Sequence, residues 1–230
     1  MINKFSNNIL NIVISPVYII RSRLYGCLKK IAPSFYGSIL DIGCGSKPYE
    51  NLFVNAKKYI GLDIEVSGHD HASSKVDIFY NGDVLPFDDE SFDNIVCFEV
   101  LEHVFNFDQL VKEMHRVLRP GGKLLITVPF AFPEHETPYD FFRYTSFGLK
   151  KLFETNNFVL NSSIKSTSFF LSIAQLFNIY IFQIFESSFL KIIVQLIIIF
   201  PINFISVLID RLLPNNKNYY SNLIVLFLKK

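Results

Sequence analysis

The sequence predicts an α/β fold built on a largely parallel sheet, and three observations carry that prediction. Short apolar runs alternate with polar segments of helical period from residue 37 to residue 165, the rhythm of βαβ units. The first run, Ser38–Ile42, passes straight into a turn with glycine at alternate positions, Gly43-Cys44-Gly45, which lets the backbone turn tightly and a ligand approach closely. A second run ends in Asp63, about 20 residues further on, where a carboxylate reaches ribose hydroxyls in nucleotide-binding units.

Ser38–Ile42 is a buried strand, Tyr59–Asp63 a second, Val76–Tyr80 a short third and Phe92–Phe98 a fourth. Phe107–Leu118 reads as a helix because Leu110, Val111, Met114, Val117 and Leu118 recur at three- and four-residue spacing,. Arg119-Pro120-Gly121-Gly122 then stops it,. Lys123–Val128 is a fifth strand ended by Pro129, Ser146–Thr155 a helix and Asn157–Ile164 a sixth strand.

Around this core, 37–165, lie three further regions. Residues 1–36 read as an N-terminal helical segment with a basic stretch from Arg21 to Lys30. Within it the apolar run 9–20 holds Pro16 and lacks a small-residue cleavage site, so it reads as a short core or interfacial helix, not a signal peptide,. Residues 166–213 are almost uncharged and strongly apolar, and residues 214–230 hold a closing apolar run, Ser221–Leu228.

Composition excludes whole classes. A chain of 230 residues makes one domain or one and a half, with a full core,. Lys and Arg number 22 against 21 Asp and Glu, so no basic excess points to nucleic acid,. At 50% hydrophobic and 19% charged residues, the chain is not generally disordered,. Cys27, Cys44 and Cys97 form no CxxC pair and read as reduced thiols, not as disulfides or a zinc site,.

The glycine turn also discriminates between nucleotides. A dinucleotide fingerprint needs a third glycine for close helix–strand packing, whereas here Gly43-Cys-Gly45-Ser-Lys47-Pro48 puts Lys47 near that place. A nucleoside without pyrophosphate, such as S-adenosylmethionine, needs less. Lys47-Pro48-Tyr49 is expected to shape a helix start instead.

The stretch Ile39-Leu-Asp-Ile-Gly-Cys-Gly45 resembles motif I of class I S-adenosylmethionine-dependent methyltransferases (methyltransferase type 11-like). Further segments resemble the same family in order: Gly82-Asp83-Val84-Leu-Pro-Phe87 with Asp89-x-Ser91-Phe92-Asp93, then Phe98-Glu99-Val-Leu-Glu102-His103-Val104, then Leu118-Arg-Pro-Gly-Gly122. The resemblance implies a Rossmann-like seven-stranded sheet in the order 3-2-1-4-5-7-6, strand 7 antiparallel, with S-adenosyl-L-methionine as cofactor. By the same resemblance Asp41, Gly43 and Gly45 approach the methionine part, Asp63 holds the ribose, Asp83 and the backbone of Val84 meet the adenine, and Glu99 sits beside the cofactor. On this topology residues 166–213 form a hydrophobic helical insert between strands 6 and 7, beside the active-site mouth.

Candidates for the acceptor side cluster after strand five, in Pro133-Glu-His135-Glu136-Thr-Pro-Tyr139-Asp140-Phe-Phe-Arg143-Tyr144-Thr145. Loops at strand carboxyl ends line the ligand crevice of such sheets. His135 is a candidate general base with Asp140 to orient it, and Arg143 and Tyr144 are candidates to grip a polar acceptor. The segment resembles one in a bacterial methyltransferase subgroup associated with surface polysaccharides. His103 is a second candidate base, since Glu99, Glu102 and His103 resemble a trio in ubiquinone-biosynthesis O-methyltransferases. Spacing alone supports no metal there.

The insert holds two runs, Ser166–Phe185 and Ile192–Ile209, both long enough to reach the membrane-spanning threshold,. Each carries a polar stripe: Ser168, Ser172, Gln175 and Asn178 in the first, Lys191, Gln195, Ser206 and Asp210 along the second, which Pro201 is expected to kink. An amphipathic pair in the membrane interface fits this pattern; a spanning hairpin and a soluble cap or dimer face remain open. The whole reads as a methyltransferase at the cytoplasmic face of the membrane, O-methylating a lipid-linked or surface-glycan acceptor. A quinone or phenol O-methyltransferase, a non-catalytic tethering module and a nicotinamide enzyme are the alternatives. The oligomeric state is left open.

Overall fold

A computed structural model describes residues 15–65 and 74–230. Half of the apolar run 9–20, residues 9–14, therefore lies outside the described residues. Seven strands form one sheet: β1 Gly37–Ile42, β2 Ala56–Ile64, β3 Ile78–Tyr80, β4 Phe92–Phe98, β5 Leu118–Pro129, β6 Phe158–Lys165 and β7 Asn222–Lys229. Their order is β3-β2-β1-β4-β5-β7-β6, as expected. β1 pairs in parallel with β2 and β4, β2 with β3, and β4 with β5. β7 runs the other way, because its end lies at the start of β5 and of β6: Lys229 Nζ donates to the Leu118 carbonyl (2.7 Å) and the Lys230 amide to that of Asn157 (3.4 Å). This is the Rossmann-like sheet that the resemblance implies, with a helical insert between β6 and β7.

Burial explains the register. Ile39, Leu40, Ile95, Val96, Leu124, Leu125 and Ile126 are wholly buried, as central parallel strands covered on both faces require. Helix α1 spans Tyr18–Ile31, α2 Phe107–Val117 and α3 Ser146–Glu154. α2 buries Phe107, Leu110, Val111, Met114 and Val117, the stripe its spacing predicts. The Thr145 hydroxyl caps α3 by accepting from the Gly148 amide (3.0 Å),.

Two local expectations are corrected. Arg119–Gly122 does not separate helix from strand, since β5 begins at Leu118. The pairing jumps from Phe92↔Leu118 to Asn94↔Lys123, so these residues bulge out of the ladder, with Gly121 at φ 73°,. A side chain at Gly122 would strike the Asp93 and Arg119 carbonyls at 2.8 Å. Lys47-Pro48-Tyr49 starts no α-helix: Lys47 adopts φ 51° and only a 3₁₀ turn, Glu50–Leu52, follows.

The chain forms two compact units, and residues 28–164 with 223–230 carry the sheet. The other unit comprises residues 165–222 and the described residues up to Cys27. It holds α4 Phe169–Ile184, α5 Ser188–Val194, a π turn Gln195–Ile199 and α6 Phe200–Asp210. The π turn ends beside Pro201, whose missing N–H cannot close an ordinary α turn.

The polarity of this unit is reversed from the amphipathic expectation. Ser172, Gln175, Asn178 and Asn203 are wholly buried. Asn178 Nδ2 donates to Asn203 Oδ1 (2.8 Å), the Ile20 amide donates to Gln175 Oε1 (3.2 Å), and Ser168 bonds Asp210. Phe189, Ile192, Ile197 and Phe204 are each more than half exposed. Polar groups that satisfy one another can turn inward, leaving the apolar side chains outside. Ser188–Asp210 is one helical stretch of 23 residues, long and apolar enough to cross a membrane, with mean hydropathy 2.7. α4, at 16 residues, falls short of the span its apolar run suggested.

Candidate active site

The glycine turn after β1 is held from the neighbouring strand. The Gly43 and Cys44 amides donate to the Leu62 carbonyl (2.8 and 3.1 Å), and the Gly45 amide to Asp63 Oδ2 (2.9 Å). Gly43 and Gly45 have φ 69° and 47°, a region that side chains rarely tolerate. A Cβ on Gly43 would lie 2.3 Å from Val100, whereas one on Gly45 would meet nothing within 4 Å. The backbone at Gly45 is therefore open to a ligand, and the packing of Val100 on Gly43 ties the loop to the residues that follow β4.

Asp41 is 2% exposed, and Tyr59 Oη donates to its Oδ2 at 2.8 Å. Burial pushes its carboxyl up to about 7 against that hydrogen bond,. Lys47 folds back across Gly61 to pair with Asp77, and any side chain at Gly61 would collide with it. The missing third glycine is thus balanced by a glycine on β2, which the sequence pattern did not single out. Asp83 and Val84 lie exposed beyond β3, with the Asp83 amide donating to Asn81 Oδ1. Glu99 ends β4 at φ 55°, its amide on the Thr127 carbonyl (3.0 Å).

The acceptor-side residues converge on a side chain that sequence reasoning had only brushed. Glu102, in the turn Leu101–His103, is wholly buried, and among the described residues neither carboxylate oxygen has a hydrogen-bond partner beyond its own residue. The loop after β5 docks on it through the Phe141 and Phe142 amides, which donate to the Glu102 carbonyl (2.8 and 3.2 Å). His103 Nε2 and His135 Nε2 lie 3.8 and 3.9 Å from Glu102 Oε1, and the two rings sit 4.8 Å apart. Burial and the His103 imidazole hold the His135 pKa below its ordinary value; burial, then Glu99, push the Glu102 carboxyl up,.

Asp140 orients His135 from behind: its Oδ2 accepts from the His135 amide (2.9 Å) and faces Nδ1 at 3.2 Å. Arg143 grips both Asp140 oxygens (2.6 and 2.7 Å), holding that carboxyl down at about 2,. Its other contacts are the Phe132, Pro133 and Phe142 carbonyls. Tyr144 is buried and donates to the Leu101 carbonyl (3.3 Å). The structure thus joins His135, His103 and Asp140, while the polar atoms of Arg143 and Tyr144 are engaged within the protein. A separate polar cleft of about 510 Å³ lies by the amino ends of β4 and β5. Two of its cations are already committed, Arg116 to Glu113 and Asp89, and Lys229 to Glu90.

Comparison with known proteins follows this geometry. Residues 40–126 match a family model described as a methyltransferase domain. A probable S-adenosylmethionine-dependent methyltransferase of Mycolicibacterium smegmatis is 34% identical over 137 residues, which is 55% of this chain and 53% of that protein. The core carries the S-adenosylmethionine-dependent methyltransferase fold. The putative sarcosine dimethylglycine methyltransferase of Galdieria sulphuraria is similar in fold, with a TM-score of 0.57 at 13% identity, over 91% of this chain and 86% of that one. A ubiquinone/menaquinone biosynthesis C-methyltransferase of Pseudoalteromonas translucida is 42% identical over 67 residues, 28% of this chain and 26% of the relative. The chain thus spans about half the length of the first curated relative and a quarter of the second. S-adenosyl-L-methionine is the cofactor that the loop fits: open backbone at Gly45, a buried carboxylate at Asp41 and a second carboxylate at the end of β2.

Proposed function

We propose that this chain transfers the methyl group of S-adenosyl-L-methionine to an oxygen of a lipid-borne acceptor at the cytoplasmic face of a membrane. Asp41 would receive the ammonium end of the cofactor, Gly43 and Gly45 its methionine part, Asp63 the ribose, Asp83 and the Val84 backbone the adenine, with Glu99 alongside. The sulfonium supplies an already activated methyl. The protein's work is to align the acceptor oxygen, exclude water and receive the acceptor's proton. His135, oriented by Asp140, and His103 stand where that proton would be handled. Arg143 and Tyr144 act as positioning residues that hold the loop after β5 against the Leu101–His103 turn.

The observation that carries the acceptor class is the reversed polarity of the insert: buried asparagines and glutamine, and apolar side chains outside. A 23-residue helix is about 34 Å long,, against about 30 Å of bilayer hydrocarbon. That supports insertion over a soluble cap. A sugar hydroxyl on a lipid-linked surface glycan is the first candidate acceptor. A quinone-type phenol is the second, favoured by the likeness to the quinone-biosynthesis relative, which is a C-methyltransferase.

The test incubates enzyme and methyl-labelled cofactor with host membranes and cytosol, then partitions the product. Enzyme-dependent label in the organic phase supports the proposal. Label confined to the aqueous phase overturns the lipid-borne acceptor, and label on carbon overturns the oxygen.

A further inference from the structure

The buried carboxylate of Glu102 is the least explained group in the core. It is wholly buried and, among the described residues, its carboxylate has no hydrogen-bond partner beyond its own residue, although Arg143 lies only a few residues along the docked loop and spends its donors elsewhere. An uncompensated buried carboxylate is costly, so the surroundings of Glu102 should show what compensates it.

Two imidazoles face it. His103 Nδ1 lies 2.8 Å from the Tyr139 carbonyl. A carbonyl only accepts, so Nδ1 donates there and Nε2 is the nitrogen turned toward the carboxylates. That Nε2 has no hydrogen-bond partner among the described residues and lies 3.8 Å from Glu102 Oε1 and 3.7 Å from Glu136 Oε2. On His135, Nδ1 lies 3.2 Å from the Asp140 carboxylate without a hydrogen bond among the described residues, and Nε2 lies 3.9 Å from the same Glu102 oxygen. Backing one imidazole nitrogen with a carbonyl or a carboxylate while the other converges on a common point is how proteins prepare histidines as metal ligands. One ligand atom from each of Glu102, His103 and His135 lies within 4.8 Å of the others. Tetrahedral ligands about 2.0–2.1 Å from a zinc ion stand about 3.4 Å apart, so closing the cluster on a cation asks for shifts of about half an ångström.

We infer that Glu102, His103 and His135 form a binding site for a divalent transition metal ion, open on one side to the acceptor. Two imidazoles and one carboxylate suit zinc, cobalt or iron better than magnesium or calcium, whose ligands are oxygens. Glu136 stands within reach as a further ligand. The inference rests on the proposed acceptor side and decides how the proton is handled there. With both Nε2 atoms committed, the cation acidifies the acceptor hydroxyl that it binds. The O–H bond breaks and the proton leaves to water. A lone pair of that oxygen then forms the new O–CH₃ bond as the C–S bond breaks, and its electrons neutralise the sulfonium to a thioether.

The test titrates the full-length chain, stripped with a chelator, with Co²⁺. One equivalent should bind with a visible ligand-field spectrum, and Zn²⁺ should displace it. His135→Ala, in a loop with the imidazole partly exposed, should weaken binding by about 100-fold or more. Glu102→Gln should do the same, and the His135 variant carries the test if the buried change unfolds the protein. No Co²⁺ spectrum, or equal affinity in both variants, overturns the inference. Organic-phase label from enzyme that binds no Co²⁺ removes the metal site and keeps the acceptor. Tight Co²⁺ binding with label only in the aqueous phase does the reverse.

Discussion

Asp41→Asn isolates the cost of keeping a carboxylate inside the cofactor strand. Asp41 is 2% exposed with one hydrogen bond, from Tyr59, and burial holds its carboxyl at about 7 instead of 3.8. Ionising it in the fold is therefore costlier than in the unfolded chain by about 4 kcal/mol. The sign follows from proton counts. Between pH 4 and pH 7 the folded protein holds a proton that the unfolded chain has released, so stability falls as pH rises through that window and is flat above it. An asparagine has no such proton. It keeps an oxygen for Tyr59 Oη to donate to, and an unpaired amide N–H₂ group subtracts about 1–3 kcal/mol at every pH. The decisive quantity is thus the difference between variant and wild type, which should move in the variant's favour by about 4 kcal/mol between pH 4 and pH 8. Denaturant unfolding of both proteins at four or five pH values measures it. A difference that stays constant with pH would refute the reasoning. On the proposed placement of the cofactor's ammonium at Asp41, the same variant should bind S-adenosylmethionine more weakly at pH 8.

Other outcomes follow from single contacts. Asp63→Ala should weaken cofactor binding by about 1.5–3 kcal/mol in a calorimetric titration; an unchanged Kd would remove Asp63 from the ribose. Gly43→Ala meets both a left-handed φ and Val100 at 2.3 Å, and should cost about 2–4 kcal/mol of stability, where Gly45→Ala costs about 1,. Melting curves of the pair would test the contrast. Asn178→Leu deprives Asn203 of a buried partner at 2.8 Å and should destabilise the helical unit by about 1–3 kcal/mol,; hydrogen exchange of α4 and α6 reads that loss, and unaltered protection would remove the pair as a stabilising contact. His135→Ala should lower turnover by about 100-fold with unchanged cofactor affinity, and turnover within threefold of wild type would exclude His135 from the chemistry.

Much of the core is legible along the chain because its signals are local. A strand that ends in Gly43 and Gly45, a second that ends in Asp63 and a helix whose apolar residues recur at three- and four-residue spacing each need only their neighbours in sequence to be read. The acceptor side was legible as a group of reactive residues after β5, but not as an arrangement. Arg143 could have pointed outward to an acceptor; three-dimensional packing gives it Asp140 and three backbone carbonyls instead. Glu102 shows no sign in sequence of being the centre, because its partners stand in different loops, one on the same turn and one after β5.

By itself the sequence determined the order of elements, the cofactor-binding turn and the apolar character of residues 166–213, since each depends on residue type and near spacing. Tertiary structure alone decided which way the polar stripe of the insert faces. Periodicity says that Ser172, Gln175 and Asn178 share a side of one helix, but not whether that side meets water or another polar stripe. Asn203 and the backbone near Ile20 supply partners, so the stripe is buried and the apolar face left outside. The convergence of Glu102, His103 and His135 was decided in the same way, by a loop docked through backbone amides whose pairing no residue spacing encodes.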